Sequence, residues 1–211
     1  GAVWWLRIST VQSKDPVHLA SVKLVPGWPQ LLGGYMSFGI SYALFTIFLV
    51  ASLEEDLGWS AAKASATFLL FGVAMIPGGI IYGALSDRLG RQPAMVAAYL
   101  GMASAAALTQ TSVPGLVIVA VVIFGLSFTG VPAVIAATVS DSLDPRRFGA
   151  AFGAITVFFG ISQIIAPQLG GWLFDTTGSF ATAFWVSTAT ALLGATFSWY
   201  LPHRRRHQPV T

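Results

Sequence analysis

The chain has 211 residues, 55% of them apolar and 9% charged, with a formal net charge of +3 and no cysteine. A soluble domain carries about 25% charged residues, so charge this sparse does not cover a water-facing surface and lipid is left as the solvent for most of the chain. Without cysteine there is no disulfide framework, thiolate metal site or thiol chemistry.

The chain opens Gly1-Ala2-Val3-Trp4-Trp5-Leu6-Arg7. It has no basic leader and no apolar core with a small-residue cleavage site, so it does not read as a signal peptide. Trp4 to Arg7 reads as the last turn of an earlier spanning helix, which makes the chain a fragment or one half of something longer. A short interfacial anchor is the other reading. Ile8 to Gln30 carries Lys14, Asp15, Pro16, Pro26 and Pro29 without apolar periodicity and reads as a connector, with a short amphipathic stretch around Val17 to Leu24. Residues 1–30 are therefore the end of a preceding helix plus a connector.

A bilayer core of about 30 Å takes about 20 apolar residues in a helix. Six segments meet that test: Leu31 to Ser52, Ala62 to Leu85, Pro93 to Thr109, Val113 to Val139, Phe148 to Phe174 and Phe180 to Leu201. No run alternates with period two, which excludes a barrel, and backbone groups in lipid must be satisfied within their own segment, so the spans are helices. Residues 31–202 thus read as an all-α, six-helix transmembrane bundle. Ser60 is placed to cap the second helix. Pro93 begins the third, after a short charged turn over Gly83 to Gln92, and Asp144-Pro145 begins the fifth as N-cap and first residue.

With six spans both termini share one side. That side collects Arg7, Lys14, Lys23, Arg88, Arg91, Arg146, Arg147 and Arg204 to Arg206; the other receives Glu54, Glu55, Asp56, Lys63 and Asp175. The positive-inside rule makes the basic side cytoplasmic, so the chain is expected to be a multi-pass protein of the plasma (inner) membrane. Residues 203–211 form a basic cytoplasmic tail. His203 to His207 reads as a stop signal fixing topology, with anionic lipid binding as the alternative, and it is too short a run to support nucleic-acid binding.

Within the spans, Gly79/Gly83 and Gly149/Gly153 stand at the GxxxG spacing that lets helices approach closely. Pro77, Pro132 and Pro167 interrupt the second, fourth and fifth spans, as tolerated kinks or as bends that shape a cavity. No ionisable side chain lies in the middle of a span, whereas proton relays and many ion pathways need one. The three histidines lie in the connector and tail and no HExxH is present, so neither an enzyme, a metal nor a cofactor is expected. The uncharged polar residues remain as site candidates: Tyr35, Tyr42 and Thr46 on one face of the first span, Thr129 in the fourth, and Gln163 in the fifth. An amide in lipid needs partners, so Gln163 is either helix–helix glue or a solute contact.

Gly83, Leu85, Ser86, Asp87, Arg88, Gly90 and Arg91 match the signature loop G-x-L-[SA]-D-R-x-G-R-[RK] of the major facilitator superfamily, and Gln92 departs from it. The chain resembles one six-helix half of that twelve-helix fold, helices seven to twelve, along nearly its whole length. Ser140 to Arg147 resembles the charged turn between the fourth and fifth helices of a half, and Gly170 to Ser179 the family's ending of the fifth. The resemblance implies a gating cluster of Gly83, Asp87, Arg88, Gly90, Arg91, Asp141, Asp144 and Arg147, with Asp87 facing a helix N-terminus or an arginine and Arg91 reaching Asp141 or Asp144. It implies a cavity lined by Tyr35, Tyr42, Thr46, Phe124, Thr129, Phe159 and Gln163. The expected function is secondary active transport of a small organic solute by alternating access, with an amino-terminal six-helix half and the lipid bilayer as partners. A non-transporting remnant, a half-transporter subunit and a membrane sensor are the alternatives.

Overall fold

The computed structural model describes residues 19–111 and 113–202. The readings of Trp4 to Arg7, of the connector before residue 19 and of the basic tail lie outside the described residues. A short 3₁₀ helix, Leu19–Leu24, precedes six helices: α1 Trp28–Glu55, α2 Ala61–Leu89, α3 Arg91–Leu108, α4 Pro114–Ser140, α5 Pro145–Thr177 and α6 Ala181–Trp199. α1, α2 and α5 run beyond their apolar segments at both ends. Intrahelical hydrogen bonds do not depend on apolar side chains, so Glu54, Asp87 and Arg147 continue the helices past the hydrophobic stretch.

One expectation needs correction. The turn expected over Gly83 to Gln92 shrinks to a single residue: α2 continues through Leu89, α3 starts at Arg91, and Gly90 alone reverses the chain at φ +101°. A left-handed backbone of this kind favours glycine. Pro93 is consequently the third residue of α3 and not its first. The six expected spans are matched in part. All six helices are present, but four of them, α1, α2, α4 and α5, are long and apolar enough to cross a membrane. α3 has 18 residues and begins Arg91-Gln92; α6 has 19 and carries Ser187, Ser198 and four threonines.

Packing follows an inverted repeat. α1 packs on α5 and α6, α4 packs on α2 and α3, and α3 packs on α6. Exchanging the triplet α1–α3 for α4–α6 leaves that pattern unchanged, and α1 and α4 run in opposite senses. Details repeat too. Gly39 and Gly125 are each the twelfth residue of their helix. A Cβ on Gly39 would strike Ser162 of α5, and one on Gly125 would meet the Phe71 carbonyl of α2 at 2.8 Å. Asp56 and Asp141 are the residues that close α1 and α4. Each reaches the turn between the second and third helices of the opposite triplet: Asp56 accepts from the Phe180 N–H at 3.1 Å, and Asp141 accepts from Arg91 at 2.7 Å.

The interior is held by large side chains against small ones. Tyr99 is fully buried; its hydroxyl donates to the Gly34 carbonyl at 2.6 Å, and its ring fills the space where Gly194 has no side chain. α2 and α5 keep broad apolar faces uncovered, with Ile76 and Ile80 more than three-quarters exposed. The expected GxxxG pairs are not where the helices meet most closely. Gly83 and Gly149 face open space, while Gly78 and Gly125 press α2 against the α4 backbone.

Candidate functional site

Two clusters hold the candidate residues. The first lies at the basic end of the bundle. Asp87 and Arg91 stand four apart across Gly90, and Arg91 draws three acceptors together. Its Nη1 donates to Asp87 Oδ1 at 2.7 Å and to Ser86 Oγ at 2.6 Å, and its Nε donates to Asp141 Oδ2 at 2.7 Å. The cluster joins α2, α3 and the end of α4. Arg91 pairs with Asp141 and not with Asp144, the exposed N-cap residue of α5. Arg88 and Arg147 are exposed and make no ion pair with a described residue. Gln92, the departure from the signature, donates from Nε2 to the Trp199 carbonyl, tying α3 to the end of α6.

The second cluster lies midway along α1, α4 and α5. Tyr35, Phe38 and Tyr42 follow one another at helical spacing on one face of α1. Their rings stand 4.5, 5.4 and 6.4 Å from Phe159 of α5, tilted from it by only 11°, 18° and 20°. Phe128 of α4 closes the group, 4.6 Å from Tyr42. Tyr35 and Phe38 form the buried floor, and Tyr42, Phe128, Phe159 and Gln163 are partly exposed. Offset stacks at these separations are favourable, so the rings hold one another in a shared orientation.

Hydrogen bonding sets this cluster apart. At the other helix seams polar side chains meet across the contact. Ser41 meets Ser187 at 3.0 Å, Tyr82 meets Ser127 at 3.0 Å, and Thr129 donates to the Met75 carbonyl at 2.8 Å. The Tyr35 and Tyr42 hydroxyls and the Gln163 amide make no hydrogen bond with a described residue. No fully buried side-chain polar atom lacks a partner among the described residues, so the Tyr35 hydroxyl emerges at the surface. Pro132 and Pro167 add two acceptors. Lacking an N–H, they leave the carbonyls of Phe128 and Gln163 without the usual donor four residues on. Thr46 is one turn from Tyr42 and donates to its carbonyl at 2.8 Å.

Two of the residues expected to line a cavity pack into helix seams. Phe124 is fully buried, stacked 3.6 Å from Phe45 in the inner core; it lies one turn deeper than Phe128, where α1, α2 and α4 converge. Thr129 spends its hydroxyl on α2 and seals the α2–α4 seam. Phe38 and Phe128, which join the cluster, were not among the sequence candidates. Their available signals were the helical spacing between Tyr35 and Tyr42, and the position of Phe128 four residues before Pro132. Two open, apolar grooves lie apart from both clusters: one of about 530 Å³ between α3 and α6, lined by Gly101, Ser104 and Leu192 among others, and one of about 420 Å³ along α5 at Gln168 and Trp172.

Comparison with known proteins agrees with this architecture. The fucose:proton symporter FucP of E. coli superposes with a TM-score of 0.74 at 14% identity, covering 88% of this chain and 45% of that one. Monocarboxylate transporter 12-B of Danio rerio is 25% identical over 181 residues, 83% of this chain and 37% of that protein. The inner membrane transport protein YnfM of Escherichia coli is 29% identical over 183 residues, 84% of this chain and 42% of that protein. The chain thus spans less than half the length of each. An inverted three-helix repeat nested in a six-helix half is a described property of major facilitator folds. The model of the Major Facilitator Superfamily matches residues 31–211, and the chain belongs to that superfamily of multi-pass membrane proteins.

Proposed function

We propose that this chain is the carboxyl-terminal half of a secondary transporter that moves a small organic solute by alternating access. All six helices cross the membrane in this reading, α3 and α6 included, with both ends of the bundle cytoplasmic in the plasma (inner) membrane. The observation that carries it is the unbonded polar set, the Tyr35 and Tyr42 hydroxyls and the Gln163 amide, gathered at mid-depth around one aromatic cluster. Polar groups at that depth cost stability unless something bonds them, and an arriving solute supplies the partner. An amino-terminal six-helix half covers the apolar faces of α2 and α5 and closes the other wall of the cavity. Thr46 lines the cavity one turn above Tyr42.

The Arg91 cluster acts as a gate at the basic end. Gly83 and Gly90 shape the loop, Asp87 and Asp141 hold Arg91, and Arg88, Asp144 and Arg147 face the partner half. Ion pairs this exposed are worth about 0–1 kcal/mol each, enough together to bias a two-state equilibrium without locking it. Uptake and efflux by the full-length protein in liposomes, with and without a pH gradient, test the reading against small organic acids, sugars and lipophilic cations. Solute flux that falls in Asp87→Asn is the expected result. A well-folded sample that carries none of them defeats it.

A further inference from the structure

Resting on the transporter reading, we infer that the α1–α5 cluster binds a planar, uncharged ring with hydrogen-bonding groups on its edge, and that it does so by stacking. Three ring planes, Tyr35, Phe38 and Tyr42, lie within 20° of Phe159. A set of near-parallel rings with a buried floor and partly exposed members is a platform that one more flat ring extends, face to face. An aliphatic solute fills such a surface without using its orientation.

The edge chemistry is equally particular. The unbonded groups are two phenol hydroxyls and one carboxamide, each able to donate and accept. Pro132 and Pro167 add the carbonyls of Phe128 and Gln163 as acceptors. This is a neutral set richer in acceptors than donors, and it matches a ring that carries N–H or O–H groups. No Asp, Glu, Lys, Arg or His occurs in the apolar segments between Leu31 and Ser52, Val113 and Val139, or Phe148 and Phe174, from which the cluster is built. This half therefore offers a carboxylate no counter-ion at that depth, although several of its relatives are named monocarboxylate transporters.

Three probes separate these chemistries at nearly constant size: benzamide is planar and neutral, cyclohexanecarboxamide keeps the amide without the flat ring, and benzoate keeps the ring but is an anion. Binding to the full-length protein in lipid nanodiscs is read by ligand-observed NMR and thermal shift at millimolar concentration. Benzamide is expected to bind saturably, about tenfold tighter than either comparator. Phe159→Leu and Tyr42→Leu are expected to weaken it about tenfold, while Tyr42→Phe, which keeps the ring and loses one edge hydroxyl, weakens it less, by about threefold. Leu192→Ala, in the groove on the far side, leaves it unchanged. Benzamide bound no tighter than cyclohexanecarboxamide or benzoate, not bound at all, or bound equally well by folded Phe159→Leu overturns the inference. Flux of any solute in the liposome assay alongside such a result leaves transport standing and removes only the ring. Absence of flux removes the transporter reading itself.

Discussion

The α2–α4 and α1–α5 seams occupy equivalent places in the inverted repeat, yet they are finished differently. At α2–α4, Gly78 and Gly125 bring the backbones together, Thr129 donates to the Met75 carbonyl, and Tyr82 meets Ser127. At α1–α5, Gly39 and Gly170 make the close approach, but stacked rings replace the interhelical hydrogen bonds, and two hydroxyls and an amide stay unbonded. One seam is satisfied and closed; the other holds hydrogen-bonding capacity in reserve. In the proposed function the first seam holds the bundle together and the second meets the solute, and that contrast can be broken at named residues.

The largest effects belong to packing. Tyr99→Ala removes a fully buried ring and should cost about 3–5 kcal/mol. Tyr99→Phe loses only the bond to Gly34 and should cost about 1 kcal/mol; both are read by thermal unfolding in detergent. Gly125→Leu forces α2 away from α4 and should cost about 1–3 kcal/mol. Gly83→Leu projects into open space and should stay within about 0.5 kcal/mol. Equal losses at the two glycines would mean that the close approach at Gly125 does not hold the seam.

Smaller effects test the equivalence of the two closing aspartates. Asp56→Ala and Asp141→Ala should each cost about 1 kcal/mol. Added salt should erode the Asp141 contribution more, since its partner is a full guanidinium charge and Asp56 faces a backbone N–H. Matching salt dependence would break the distinction. The smallest effect is expected at Tyr42→Phe. Its hydroxyl has no partner to lose, so stability should move by less than about 0.5 kcal/mol, whereas a comparable loss to that of Thr129→Val would show the hydroxyl already engaged.

Much of the framework was legible in the sequence, and the reason is physical. Helices in lipid must be apolar along their length, so each appears as an uninterrupted run, and Asp87, Gly90 and Arg91 stand out against such a background. The length of the turn was not legible, because Asp87 and Arg88 are as compatible with a last helical turn as with a loop. The candidate site was only half legible. Thr129 and Gln163 look alike as single polar residues in apolar runs, and Phe124 and Phe128 differ by one turn; which of each pair meets a neighbouring helix depends on packing angle and depth, which spacing alone does not encode. α3 and α6 are the short helices that read least clearly as spans: α3 opens Arg91-Gln92-Pro93 and is otherwise mostly alanine and other small residues, and α6 carries two serines and four threonines that lower its hydropathy while several bond back to their own helix.

In the proposed function, solute reaches the α1–α5 face from both sides of the membrane and the α2–α4 seam from neither. The 211 residues contain no cysteine, so single cysteines report directly. Alkylation of Gln163→Cys and Ser127→Cys by an impermeant maleimide, applied to each side of oriented membrane vesicles, is the most direct measurement. Gln163→Cys is expected to be labelled from either side and Ser127→Cys from neither. Labelling of Gln163→Cys from one side alone, or of Ser127→Cys as readily as Gln163→Cys, would contradict it.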